Sequence, residues 1–124
     1  MGTQRGKAAL GRLGEELACR YLEQHGHRIL ARNWRSGHLE IDIISRAADG
    51  LHFAEVKSRT APVSADPEDN VGPAKRKKIT SAALRFLSGL GEDLEVWFDI
   101  VSVVFDGASV EIEHYPGAWL PIYV

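Results

Sequence analysis

The chain has 124 residues, 44% of them hydrophobic and 26% charged, which suits one packed domain spanning residues 1–124 and is too short for two independent cores. A formal net charge of −2, with 17 acidic residues against 15 Lys and Arg, excludes nucleic-acid binding through overall basicity and confines it to local patches. The lone cysteine, Cys19, excludes an internal disulfide and a thiolate zinc cluster; with no apolar run of membrane-span length and no signal-peptide core, the cytoplasm is the expected location.

In chain order, Leu10, Leu13, Leu17 and Tyr21 recur at helical spacing from about Lys7 to His25, with Gly26 as a stop. Beside that arc Gly11, Glu15, Ala18 and Leu22 form a stripe whose small residues permit close approach to a sheet, with Glu15 leaning toward it. Cys19 reads as an inert helix residue. A first strand is expected over Arg28 to Trp34, with Arg28, Arg32 and Arg35 as a basic patch.

A hairpin follows, with strands Glu40-Ile41-Asp42-Ile43-Ile44 and Phe53-Ala54-Glu55-Val56-Lys57-Ser58-Arg59. If Asp49-Gly50 is its two-residue turn, Ile44 faces Glu55, Asp42 faces Lys57 and Glu40 faces Arg59. All the charged members then share one face, while Ile41, Ile43, Ala54 and Val56 share the other. In this register Asp42 and Glu55 are diagonal neighbours about 7–8 Å apart, close enough for two carboxylates to converge on a hard cation that takes oxygen ligands. Lys57 would sit beside that ion and stabilise charge on a phosphate or orient the attacking water. Glu40 has three open readings: a metal ligand, a partner of Arg59, or a surface acid.

Thr60 to Gly72, with two prolines and the acids Asp66, Glu68 and Asp69, is expected to be a mobile loop. A second helix starts near Pro73 and packs through Ile79, Ala82, Ala83, Phe86, Leu87 and Leu90. Its first turns carry Lys75-Arg76-Lys77-Lys78, four cations at the positive end of the helix dipole. Phosphate is their natural counter-charge, and Lys75 falls on the inward stripe; the alternative is a solvated basic face compensated by the loop acids. Leu94 to Phe105 reads as a central strand covered on both faces, in which Asp99 must find a hydrogen-bond partner. Val110 to Glu113 alternates as an edge strand does, and Tyr115 to Val124 is an apolar tail against the domain or a partner.

The five histidines have neither an i,i+4 pairing nor cysteine partners, so no zinc site is expected, although His38 is a candidate auxiliary beside Glu40. Trp34, Trp97 and Trp119 read as packing residues rather than a base-stacking platform.

Leu13-Gly14-Glu15, Arg32-Asn33-Trp34-Arg35, Glu40-Ile41-Asp42, Glu55-Val56-Lys57-Ser58-Arg59, Lys75 with Ile79 and Ala83, and Phe98-Asp99-Ile100-Val101 together resemble the small bacterial YraN-type family, over about residues 7–105. That family looks like a branch of the restriction-endonuclease-like superfamily, related to Holliday junction resolvases. The resemblance implies an α/β fold with a mixed central β-sheet flanked by α-helices. It implies Asp42 and Glu55 as metal ligands, Lys57 as the catalytic lysine and Glu15 as a helix-borne acid near the metal. In one departure, Leu39 stands where the family usually has glycine, and Gly37 lies two residues earlier.

The expected activity is Mg²⁺- or Mn²⁺-dependent cleavage of DNA, selective for branched or flapped structure. Asp42, Glu55 and the Val56 carbonyl would hold the ion, and Arg59, Lys75 and Lys77 would contact the nucleic-acid backbone. A symmetric homodimer would suit a substrate with two related strands. The alternatives are a non-catalytic nucleic-acid-binding accessory protein on the same fold and a protein-interaction domain using the tail from Trp119 to Tyr123.

Overall fold

A computed structural model describes residues 4–67 and 71–121, with the side chains of residues 4 and 5 outside that set. The elements run α1 (Gln4–Gln24), β1 (Arg28–Ser36), β2 (Leu39–Ala47), β3 (Gly50–Thr60), α2 (Pro73–Ser88), β4 (Val96–Asp106) and β5 (Ser109–Trp119). They form one sheet in the order β1-β2-β3-β4-β5. β3 and β4 are parallel and the other neighbours antiparallel. The α2 crossover supplies the long connection that a parallel pair requires.

Each helix covers one face. From α1, Ala18, Cys19 and Leu22 pack on Ile43, Ala54, Val101 and Val103. From α2, Ile79, Ala82 and Ala83 pack on Ile44, Phe53, Phe98 and Ile100. The middle strands are therefore apolar on both parities, as sheets covered on two faces are. This is the expected α/β fold, a mixed sheet flanked by helices, consistent with the restriction-endonuclease-like arrangement. Among the described residues no helix is long and apolar enough to cross a membrane.

The stripe of α1 that meets the sheet differs from expectation. Leu10 and Leu13 are 36% and 48% exposed, whereas Ala18 and Leu22 are fully buried. The close approach is made at Gly14, where an added Cβ would lie 1.9 Å from Ser58 Oγ, while Gly11 has nothing within 4 Å. Glu15 is thereby carried next to the sheet on the residue after the closest contact.

The hairpin register also differs. Ala47 pairs with Gly50 and Ile44 with Phe53, so the chain turns through Ala48-Asp49. Gly50 lies inside the strand, at φ 129°, where a Cβ would meet the Glu95 carbonyl at 2.3 Å. The pairing is displaced by two residues, which preserves parity but removes the predicted facing pairs Asp42–Lys57, Glu40–Arg59 and Ile44–Glu55.

The expected loop is anchored at several points. Arg59 Nη1 donates to the Ala65 carbonyl at 2.5 Å, Ala61 N–H donates to the Phe105 carbonyl at 2.8 Å, and Val71 is buried against α2. The acids Glu68 and Asp69 lie outside the described residues. Part of the expected tail is strand: β5 continues through Trp119, whose ring stacks on Phe98 at 5.6 Å and lies under the Arg76 guanidinium. Leu120 is 86% exposed, and residues 122–124 lie outside the described set.

Candidate functional site

The site begins where β2 and β3 part. Their pairing stops at Ile43 and Ala54, and one residue on, Asp42 Oδ2 accepts the Val56 N–H at 2.8 Å. A side chain has taken the hydrogen bond that a continuing strand would have made. Because a strand residue turns its N–H and C=O to the same side, the Val56 carbonyl is aimed into the same fork.

The backbone changes face at this level. Arg32 pairs with Glu16 of α1 at 2.8 Å, yet Trp34, two residues on, meets Phe86 of α2 at a ring distance of 5.6 Å. Asn33 between them takes φ 48°, a left-handed conformation that Asn tolerates better than most residues. On β2, Ile43 packs with the α1 cluster and Ile41 with the α2 cluster. The expectation that Ile41 and Ile43 share a face is thus corrected. Gly37-His38 makes the turn from β1 to β2, with Gly37 at φ 62° and Leu39 buried. The glycine displaced from before Glu40 therefore serves the turn.

Four acids gather around the fork. Glu55 is 9% exposed and its carboxyl is pushed up to about 7, by burial first and then by the neighbouring charge of Asp42. Asp42 is also raised, chiefly by burial, with the Val56 N–H, Lys75 and Lys57 opposing the shift. Glu15 is raised by burial and by Asp42. With its amide turned to donate, Asn33 nitrogen lies 3.3 Å from both Glu15 oxygens and from Glu40 Oε1, tying these two acids together. Glu40 pairs with Arg35 at 3.6 Å, which leaves the reading of it as the partner of Arg59 without support.

The cations are unevenly placed. Lys75 Nζ lies 3.6 Å from Glu55 Oε1, so this lysine does point at the sheet. Lys57 is half-buried on β3 and its charge acts on both Asp42 and Glu55. Lys77 is exposed on α2. Arg59 is held by Ala65 and by Ser102 Oγ, at 3.4 Å, and lines a groove with Lys7, Leu10, Gly11 and Ser58. Arg76 donates Nε to the Val71 carbonyl at 2.6 Å. His38 is exposed in its turn.

A second polar cluster, not expected from the sequence, lies on the α1 side of the sheet. Asp99 Oδ2 meets His52 Nδ1 at 2.5 Å and His114 Nε2 at 2.7 Å, while Asp99 Oδ1 accepts the Gly117 N–H at 3.0 Å. His52 Nε2 meets Asp49 Oδ1 at 2.7 Å, and His27 Nδ1 meets Ser45 Oγ at 2.9 Å. Asp99 thus has the partners its burial demanded. Burial alone would raise its carboxyl, but the hydrogen bonds from His114 and His52 hold it low. The signal was present in two polar residues, His52 and Asp99, inside apolar strands.

The family model described as "Uncharacterised protein family UPF0102" matches residues 14–103. A UPF0102 protein of Anaeromyxobacter dehalogenans is 40% identical over 119 residues, covering 95% of this chain and 89% of its own. One from Bacteroides thetaiotaomicron is 38% identical over 112 residues, covering 90% and 93%. A longer one from Oleidesulfovibrio alaskensis is 47% identical over 106 residues, which are 85% of this chain and 52% of that protein.

Proposed function

This chain belongs to the UPF0102 family, which is the YraN-type group, and on that premise we propose that its fork is the active site of a metal-dependent DNA endonuclease. The observation that carries the reading is the convergence of two acids, Asp42 and buried Glu55, on a gap in the sheet beside Lys57 and Lys75. Burying carboxylates that raise one another's proton affinity costs stability. A divalent cation would offset that cost.

The donor set fits Mg²⁺ or Mn²⁺. It is all oxygen, from Asp42, Glu55 and the Val56 carbonyl, the chemistry hard cations take. When bound, such an ion supplies charge to the phosphodiester and lowers the pKa of a water molecule. The protein's own groups do the rest. Lys57 offers its ammonium to the phosphate oxygens as negative charge builds on them. Glu15, positioned by Asn33, presents a carboxylate with raised proton affinity on the α1 side of the fork, suited to taking a proton from water.

Lys75 and Lys77, on the first turns of α2, and Arg59, beside its groove with Lys7, hold the nucleic-acid backbone. Such contacts set position without reading bases, so selectivity would rest on branched or flapped structure. A four-way junction presents two related strands, which a symmetric dimer would match. The Lys75–Glu55 contact favours a second reading, a metal-free accessory protein that binds nucleic acid without cutting it.

The test is incubation of the protein with labelled four-way-junction, flap and single-stranded DNA in Mg²⁺ or Mn²⁺. Cleavage by wild type and none by Lys57→Ala supports the endonuclease. Salt-sensitive binding that needs no metal and survives Lys57→Ala, without cleavage, supports the accessory protein.

A further inference from the structure

We propose that His52, Asp99 and His114 form a site for one Zn²⁺ ion, separate from the acidic fork. The three residues come from three neighbouring strands, β3, β4 and β5, and their donor atoms all lie within 4.8 Å of one another. His52 Nδ1 and His114 Nε2 already converge on a single oxygen, Asp99 Oδ2, at 2.5 and 2.7 Å. A tetrahedral zinc with ligands at about 2.0–2.1 Å holds its donor atoms about 3.3 Å apart, so these two contacts open by less than about 1 Å while the two imidazole nitrogens, within 4.8 Å of each other, draw together by at most about 1.5 Å.

The groups behind the ligands are in place as well. His52 directs Nε2 at Asp49 Oδ1, 2.7 Å away. A histidine that gives one N–H to a carboxylate turns the lone pair of its other nitrogen toward a metal, the arrangement by which protein metal sites fix ring orientation. Gly117 N–H occupies Asp99 Oδ1 at 3.0 Å, which leaves Oδ2 for the ion. His27, held through Nδ1 by Ser45, walls the cluster edge-on, its ring 4.6 Å from that of His52 and 5.4 Å from that of His114.

Two imidazoles and one carboxylate select a borderline metal over Mg²⁺ or Ca²⁺, whose preference is for oxygen. The ion takes the place of the N–H groups that face Asp99: His52, which meets a carboxylate through both ring nitrogens, gives up its Nδ1 proton to solvent and keeps the one on Nε2, while His114 binds through Nε2 in the tautomer that carries its hydrogen on Nδ1. His52 and Asp99 are buried, and the His114 side chain, 13% exposed, leaves a route for a water as fourth ligand. Zinc here would fasten β5, the edge strand, to β3 through β4. The fork's Glu55 pairs with α2 on the other face, so the two sites can be tested apart.

The experiment uses tag-free, metal-stripped full-length protein, titrated with Zn²⁺ by calorimetry and with Co²⁺ by visible absorption. With the fork disabled in Asp42→Asn, one Zn²⁺ per chain and the visible bands of four-coordinate Co²⁺ are expected, and wild type should show the same cluster uptake with any further ion assigned to the fork. Affinity should fall by at least about 100-fold in His52→Gln and His114→Gln, and by about 10–100-fold in Asp49→Asn. The Asp49 side chain is 57% exposed, so Asp49→Asn folds even where a ligand variant does not. Three results would each overturn the assignment: no stoichiometric uptake by wild type, uptake indifferent to Asp49→Asn, or uptake lost in Asp42→Asn.

Discussion

Asp42 Oδ2 accepts the main-chain N–H of Val56 at 2.8 Å, one residue beyond the last pair between β2 and β3. The side chain thereby props the two strands apart and aims the Val56 carbonyl into the gap. An acid at this position has a structural duty as well as a proposed ligand role, and the two can be separated. Asparagine keeps an oxygen that accepts the N–H; alanine leaves the N–H without a partner, at about 1–3 kcal/mol. Urea unfolding without metal should find Asp42→Asn at least as stable as wild type and Asp42→Ala less stable than Asp42→Asn by about that amount. Equal stabilities would show that the hydrogen bond does not hold the fork.

The raised carboxyl of Glu55 makes stability depend on pH in a defined direction. Its proton is held to about pH 7 in the folded chain and to about 4.5 in the unfolded one, so between those values the folded state binds more protons. Stability of the metal-free protein should therefore fall as pH rises through this window, by roughly 1 kcal/mol per pH unit. Glu55→Gln should flatten the slope, and saturating Mg²⁺ should do the same. Chemical denaturation between pH 4.5 and 7.5 reads the slope directly, and a rise in stability with pH that depends on Glu55 would contradict the burial argument.

Lys75 opposes that shift through its contact with Glu55 at 3.6 Å. In Lys75→Met the Glu55 carboxyl should titrate higher than in wild type, as followed by carboxyl ¹³C chemical shifts. An unchanged titration would place the ammonium out of electrostatic reach.

Gly14 is the point at which α1 rests on the sheet, and Ser58 Oγ, which has no hydrogen-bond partner among the described residues, is what an added methyl would strike. Gly14→Ala should cost about 1–3 kcal/mol through overpacking. The loss should shrink in the Gly14→Ala, Ser58→Gly double variant, a coupling measured by a double-mutant cycle. Additive losses would mean that the helix does not bear on Ser58.

The sequence carried much of the fold because its signals are local: the apolar spacing of α2, the Glu111 and Glu113 alternation of β5, and the two-faced apolar run of β4. The hairpin turn is displaced, since Gly50 serves a close approach to the carbonyl of Glu95, the residue just before β4 and distant in sequence. The error was two residues, so Glu55 and Lys57 kept a common parity even though their predicted partners did not survive. The change of face at Asn33 and Asp42 was illegible because a single Asn or Asp inside an otherwise strand-like run, with no Gly or Pro beside it, does not mark a break in periodicity. Likewise, His27, His52, Asp99 and His114 lie far apart in sequence and are joined only by sheet order. Spacing rules written for one helix or one loop cannot find such a cluster.

The central claim is that Asp42 and Glu55 hold a divalent cation at the fork. Its most direct test is calorimetric titration with Mn²⁺ of metal-free protein in which the His52 cluster is removed by His52→Gln, with Asp42 intact and with Asp42→Asn added. The account predicts Mn²⁺ binding when Asp42 is intact and its loss when Asp42→Asn is added. No Mn²⁺ binding by the wild-type fork, or binding that persists unchanged in Asp42→Asn, would contradict it.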